Sequence, residues 1–460
     1  MRLGPVSRKM ILHRTPDTLI VEGGWPTNAR GTCHSLRTAA LPLLWLVALY
    51  FPTSYHGDIS MGIGALQHLS VFLLLLLLWL PPGGRIGCRS TLNSLMIPIT
   101  LAAATLVSPL QDLAYGALGV YGLLAIVLST NLNDLGAGKW FLRAMVLADC
   151  INIALGAAVL LDFTPVKTLL VGYYSVFYSD LVPNMMKLGR PVLTFGTHSV
   201  AAFYYYIFFW MHFQAFKSSG TIRSSKAVLA LVTAVAYLAL CLSVFSVTSI
   251  AFGTVAIVQL LIGMGRHRSV LIKLIAASAI ATATWALVQH RAEVAQSADL
   301  VQKRLDSNIN GYRARYEADS PVIKDLEYIR SHPFSPVGVR YSPDLWFVDC
   351  GPVEYLLRGS IVLVACIYGG FWVFLRHNAR QSRRSIALFV MFMAFEFGFN
   401  NLIDLRTIAL LPCIVVFVNN IRRKRDAGRV KTSGVVLYRA SAGRLKAGTM
   451  GGPDLYRCPR

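Results

Sequence analysis

Residues 61–80, MGIGALQHLS followed by VFLLLLLLWL, run without an acidic side chain, a lysine or an arginine, and apolar runs of this kind recur along most of the chain. A helix needs roughly 20 apolar residues to cross a hydrocarbon core of about 30 Å, where every backbone N–H and C=O must be bonded within the protein. The recurrence therefore demands an all-α, polytopic membrane helix bundle. Composition agrees with it: of 460 residues 55% are hydrophobic, only 14% are charged, and the mean hydropathy is +0.54.

Apolar windows predict about twelve transmembrane helices, near 39–53, 61–80, 93–109, 113–130, 141–161, 198–216, 227–245, 249–265, 269–288, 352–375, 385–399 and 407–420. The expected organisation is an N-terminal tail over 1–38, a transmembrane domain over 39–420 and a basic C-terminal tail over 421–460. Arg2, Arg8, Lys9, Arg14, Arg30 and Arg37 crowd the first 37 residues with no apolar core among them, unlike a cleavable signal peptide. With the N-terminus inside, the alternate connections and the final tail hold most of the 44 lysines and arginines, including RHNARQSRR (376–384) and RRKR (422–425). The positive-inside rule then places both termini in the cytoplasm. The formal charge of +22 follows the membrane in this way, whereas nucleic-acid binding needs basic residues gathered on one accessible surface. The eight cysteines are scattered singly, without metal-ligand spacing, so neither disulfides nor a metal centre is expected.

Two outer connections are long, 162–197 and 289–351, and chemistry is expected there. KLGRPVLTFGTHSVAAFYYYIFFW (187–210) carries Lys187 and Arg190, then a Gly-containing turn and His198 at the start of an aromatic helix. An arginine so placed grips pyrophosphate through paired, charge-assisted hydrogen bonds, or else snorkels to lipid headgroups. In the second connection RLDSNINGYRARY (304–316) supplies Arg304, Arg313 and Arg315, and VIKDLEYIRSH (322–332) reads as an amphipathic helix with Val322, Leu326 and Ile329 on its apolar stripe. Arg340, Asp349, Glu354 and Arg358 follow. Glu354 and Arg358 have the i,i+4 spacing of an ion pair. Asp349, beside Trp346 and Phe347 at the membrane boundary, is either a base whose pKa desolvation raises or a helix N-cap. Asp149 and Glu396 fall inside apolar segments, which makes them functional candidates or the charged halves of structural contacts. Ser246, Thr248 and Ser249 read as helix-contact or backbone-bonding groups.

In their order, three stretches resemble the O-antigen polymerase and O-antigen ligase superfamily, membrane glycosyltransferases with a GT-C-like helical fold. LGRPVLTFGTHSVAAFY resembles that family's arginine, FG-turn and small-residue helix. SVFSVTSIAFGTVAIV resembles its hydroxyl-rich segment, with Thr248–Ser249–Ile250 where an arginine often stands. The span from NGYRARY to LLRGSIVLV resembles its large-loop pattern. The likeness covers roughly 140–420. It implies metal-independent, inverting transfer of a glycan from undecaprenyl pyrophosphate to a sugar hydroxyl at the outer face of a bacterial inner membrane. No cofactor is implied, and lipid and chain-length-regulator or flippase proteins are the implied partners. By the resemblance Arg190 and Arg313 or Arg315 neutralise the leaving pyrophosphate; Arg340, near the same turn, is added from its position alone. The ligase branch usually has a histidine where Asp349 stands, which favours a polymerase of O-antigen or exopolysaccharide with Asp349 as base. A ligase with the same donor and a transporter or flippase of polysaccharide precursors are the competing expectations.

Overall fold

The computed structural model describes residues 12–15, 18–21, 27–51, 58–79, 88–178, 185–186, 189–219, 225–264, 320–342, 345, 350–379 and 382–421. Its helices are α1 (Thr27–Tyr50), α2 (Asp58–Trp79), α3 (Cys88–Val107), α4 (Tyr115–Ser129), α5 (Lys139–Leu160), α6 (Thr164–Tyr178), α7 (His198–Ser218), α8 (Ser225–Ser243), α9 (Val247–Met264), α10 (Pro321–Ser331), α11 (Gly351–Asn378), α12 (Ser382–Glu396) and α13 (Leu405–Ile421). Two short antiparallel pairs accompany them, β1 (Leu12–Thr15) with β2 (Thr18–Val21) and β3 (Asp112–Leu113) with β4 (Arg340–Tyr341). The expected helix at 269–288 lies outside the described residues, as does the RRKR cluster.

Among the described residues α5, α8 and α11 are long and apolar enough to cross a membrane, and further apolar helices are shorter. Leu73, Leu229, Leu261, Ile262 and Ile361 are exposed on this bundle. Outward-facing apolar stripes of that kind suit contact with lipid. The inside is aromatic: α7 is buried nearly all round, with Phe203 stacked on Phe395 of α12 at 4.3 Å between ring centroids. A helix apolar on every face belongs at the centre, and α7 packs there against α8 and α9.

The structure differs in detail from three expectations. First, the helix that contains most of the apolar window near 39–53 is longer, with α1 beginning at Thr27. Arg37 is buried in α1, donating from Nε to the Leu78 carbonyl (3.0 Å) and from Nη2 to that of Asn131 (2.5 Å). Helix ends leave carbonyls unbonded, and the guanidinium fork meets one at the end of α2 and a second in the connection after α4. Asn378 serves the same end of the bundle, accepting from the Leu132 N–H (2.7 Å) and donating to the Thr130 carbonyl (3.0 Å). Second, the connection 162–197 contains α6, whose 15 residues fall short of a span. Third, α11 is broken at Gly359 and Ser360, the latter at φ 59°. The carbonyls of Leu357 and Arg358 turn instead to the N–H groups of Val337 (2.9 Å) and Gly338 (2.8 Å). The break thereby stitches the second long connection onto α11.

Asp149, buried in the apolar helix α5, has structural partners. Its Oδ2 lies 3.1 Å from His212 Nε2 on α7, and its Oδ1 accepts from the Tyr237 hydroxyl on α8 (2.7 Å). Ser246 and Ser249 bond reciprocally to each other's backbone N–H, at 2.9 and 2.7 Å, and so cap α9.

Candidate functional site

Two polar clusters meet at one end of the bundle. The first is built on the 190–197 turn. Arg190 is buried, and its carbonyl accepts from the Val192 N–H at 2.8 Å, which reverses the chain. Leu193 (φ 46°) and Gly196 (φ 80°) both occupy the left-handed region, a strain that persists only where surrounding structure enforces it. The enforcement is visible: the Tyr205 hydroxyl donates to the Pro191 carbonyl (2.6 Å) and Phe195 packs edge-on against Tyr205. Thr197 then caps α7, and His198 is its half-buried first residue.

Sequence reasoning missed the residue on the other side of this turn. Arg406, in the first turn of α13 and 2% exposed, sets its guanidinium over the Phe195 ring at 5.4 Å. A helix N-terminus is the positive end of the dipole, so local energetics disfavour a buried arginine there. The signal available in the sequence was NNLIDLRT, a polar stretch opening an apolar run. Asp404 caps α13 through the Thr407 N–H (3.0 Å) and accepts from the Tyr204 hydroxyl (2.8 Å), while Thr407 donates to Asn401 Oδ1 (2.6 Å).

The 401–403 turn leads to the second cluster, because the Leu402 N–H donates to Glu396 Oε1. Glu396 is fully buried over the start of α11. A Cβ on Gly351 would collide with its Oε2, so any larger residue there requires the carboxyl to move. One turn on, Arg358 donates from Nε to Glu354 Oε1 at 2.5 Å and from Nη1 to the Gly338 carbonyl at 2.9 Å. This is the expected i,i+4 pair, buried on both sides.

Helix α10 lies against α11 with Val322 and Ile329 inward as expected, but with a different residue between them. Leu326, expected inside, is 37% exposed, and Asp325 is buried in its place at 0% beside Val322. Cys350 and Val353 form the apolar contact with Val322, and Ile329 packs onto them. Burial first, then the neighbouring Glu354, push the Asp325 carboxyl up to about 7, against an opposing effect of Arg358.

Arg340 donates to the carbonyls of Thr105 (3.1 Å) and Gln111 (2.7 Å) and so pins β4 to the α3–α4 junction, at the rim of a small recess shared with Arg358. Arg190 is thus placed at a constrained turn, Glu354 and Arg358 are brought together, and Arg340 is engaged with backbone. Lys187, Arg304, Arg313, Arg315 and Asp349 lie outside the described residues. Comparison with protein-family models, curated proteins and solved structures returned no match for this chain.

Proposed function

We propose that the chain is a membrane glycosyltransferase that polymerises lipid-linked oligosaccharide repeat units of O-antigen or exopolysaccharide, taking the growing glycan from undecaprenyl pyrophosphate. The observation that carries this reading is the pair of buried guanidiniums, Arg190 and Arg406, flanking one strained turn. Buried arginine is expensive in a low-dielectric setting, and pre-placed cations are what a leaving pyrophosphate requires. In this reading an acceptor hydroxyl attacks the anomeric carbon and the bond from that carbon to the pyrophosphate oxygen breaks. The hydroxyl proton passes to a carboxylate, with Asp349 the proposed acceptor. Arg313 and Arg315 are proposed to join the anion site; Arg340, fixed to two carbonyls, would position the loop.

The break in α11 favours a second reading, a transporter or flippase of polysaccharide precursors, since discontinuous helices line many transport sites. Chain-length profiles separate the two. Arg190→Ala and Arg406→Ala, at normal membrane levels, are expected to replace long polysaccharide by single repeat units, with Lys at either position restoring only part. A profile of unchanged length in both variants defeats the polymerase reading, and accumulation of whole precursor on the cytoplasmic face supports transport.

A further inference from the structure

Asp325 is a costly residue for α10 to turn inward, and neither of its carboxyl oxygens has a hydrogen-bond partner. The charged groups facing it from α11 are Glu354 and Arg358, and Arg358 is already bonded to Glu354 and to Gly338. The same seam carries the apolar contact of Val322 with Cys350 and Val353, and further along α10 the Tyr328 ring stacks on His332 at 4.5 Å. Two carboxyls therefore share one guanidinium. Leucine at 325 would seat α10 at any pH, whereas aspartate seats it best with a proton bound. Beneath the next turn lies a cleft of about 200 Å³ between Tyr328, Ile329 and His332 of the α10 segment and Leu356, Ser360 and Ile361 of α11.

We propose that α10 is a proton-operated latch, seated on α11 while Asp325 is protonated and loosened when Asp325 and Glu354 are both ionised, so that the cleft beneath it opens. The direction follows from linkage. Seated, the Asp325 carboxyl titrates near 7 rather than at its ordinary 3.8, so the seated state binds the proton more tightly. Seating is therefore undiminished below the ordinary carboxylate range, weakens as pH rises from there towards 7, and levels off above. Between pH 5 and pH 8 those two values give up to about a hundredfold loss of seating, most of it below pH 7.

The test is hydrogen exchange of the 321–331 amides in the full-length protein in lipid nanodiscs, from pH 5 to pH 8, corrected for intrinsic exchange rates. Protection in the wild type should fall at least tenfold across the range, while amides of α7 do not change. Asp325→Asn should hold its low-pH protection throughout, and Asp325→Leu, which cannot titrate, should do the same should the amide pack poorly. Flat wild-type protection overturns the proposal, as does a pH-dependent loss that persists in both variants. The outcome is independent of glycosyl transfer, so it stands or falls apart from the proposed activity.

Discussion

Removing the Arg358 side chain should be among the most damaging single truncations at this end of the bundle. Arg358→Ala deletes one bond to Glu354 and one to the Gly338 carbonyl, and both Glu354 and Arg358 are at least 98% buried. Breaking a buried pair from one side typically costs about 3–5 kcal/mol, because the abandoned carboxylate keeps its desolvation penalty. Unfolding entropy of about 2.1 cal/mol/K per residue gives about 1 kcal/mol/K for this chain, so the expected drop in Tm is about 4 °C. The companion change is Arg358→Met with Glu354→Gln, which removes the pair but strands no charge; it should recover at least half of the loss. Melting in detergent followed by circular dichroism measures both. A single variant that melts with the wild type, or a double variant as unstable as the single, refutes the assignment of the pair as a buried, mutually dependent unit.

Gly351→Ala should be destabilising by about 1–3 kcal/mol, because the added methyl collides with Glu396; adding Glu396→Gln to it would leave that collision in place, whereas Gly351→Ala with Glu396→Ala should regain most of the loss in the same melts. For the intramembrane network, Asp149→Asn should cost under about 1 kcal/mol, since the amide still accepts from Tyr237. Asp149→Leu strands His212 and the Tyr237 hydroxyl and should cost about 2–4 kcal/mol. Equal Tm values for the two variants would contradict that ranking, and loss of polysaccharide in a fully stable Asp149→Asn protein would move the residue from scaffold to mechanism.

Helix placement was the most legible part of the sequence, since an apolar segment long enough for lipid has few alternatives. Starts were less so. The polar stretch TNARGTCHSLR joined α1 while Arg37 found carbonyls at the end of α2 and in the connection after α4, information no single segment contains. The Glu354–Arg358 pair was readable because its spacing is local to one helix. Leu326 was placed inward in place of Asp325 for a physical reason. Leu326 and Asp325 differ by 100° around the axis, and partition between water and apolar surface selects the leucine. Arg406 stayed hidden because its neighbour Phe195 lies 211 positions away in the chain. The break in α11 was missed because the apolar window 352–375 averages over the Gly359–Ser360 pair, a step that a helix also tolerates.

That break also decouples helical phase. Residues 361–378 must present a fixed face to their surroundings, while 351–358 must aim Glu354 and Arg358 inward, and each residue of a continuous helix would rotate one relative to the other by 100°. With Gly359 and Ser360 out of helical conformation, the two segments keep separate registers. One residue added at the break is absorbed by non-helical backbone, whereas the same insertion at Cys366 turns every side chain before it relative to those after it. Helix α11 can therefore vary in length at this point without residues 351–358 losing aim.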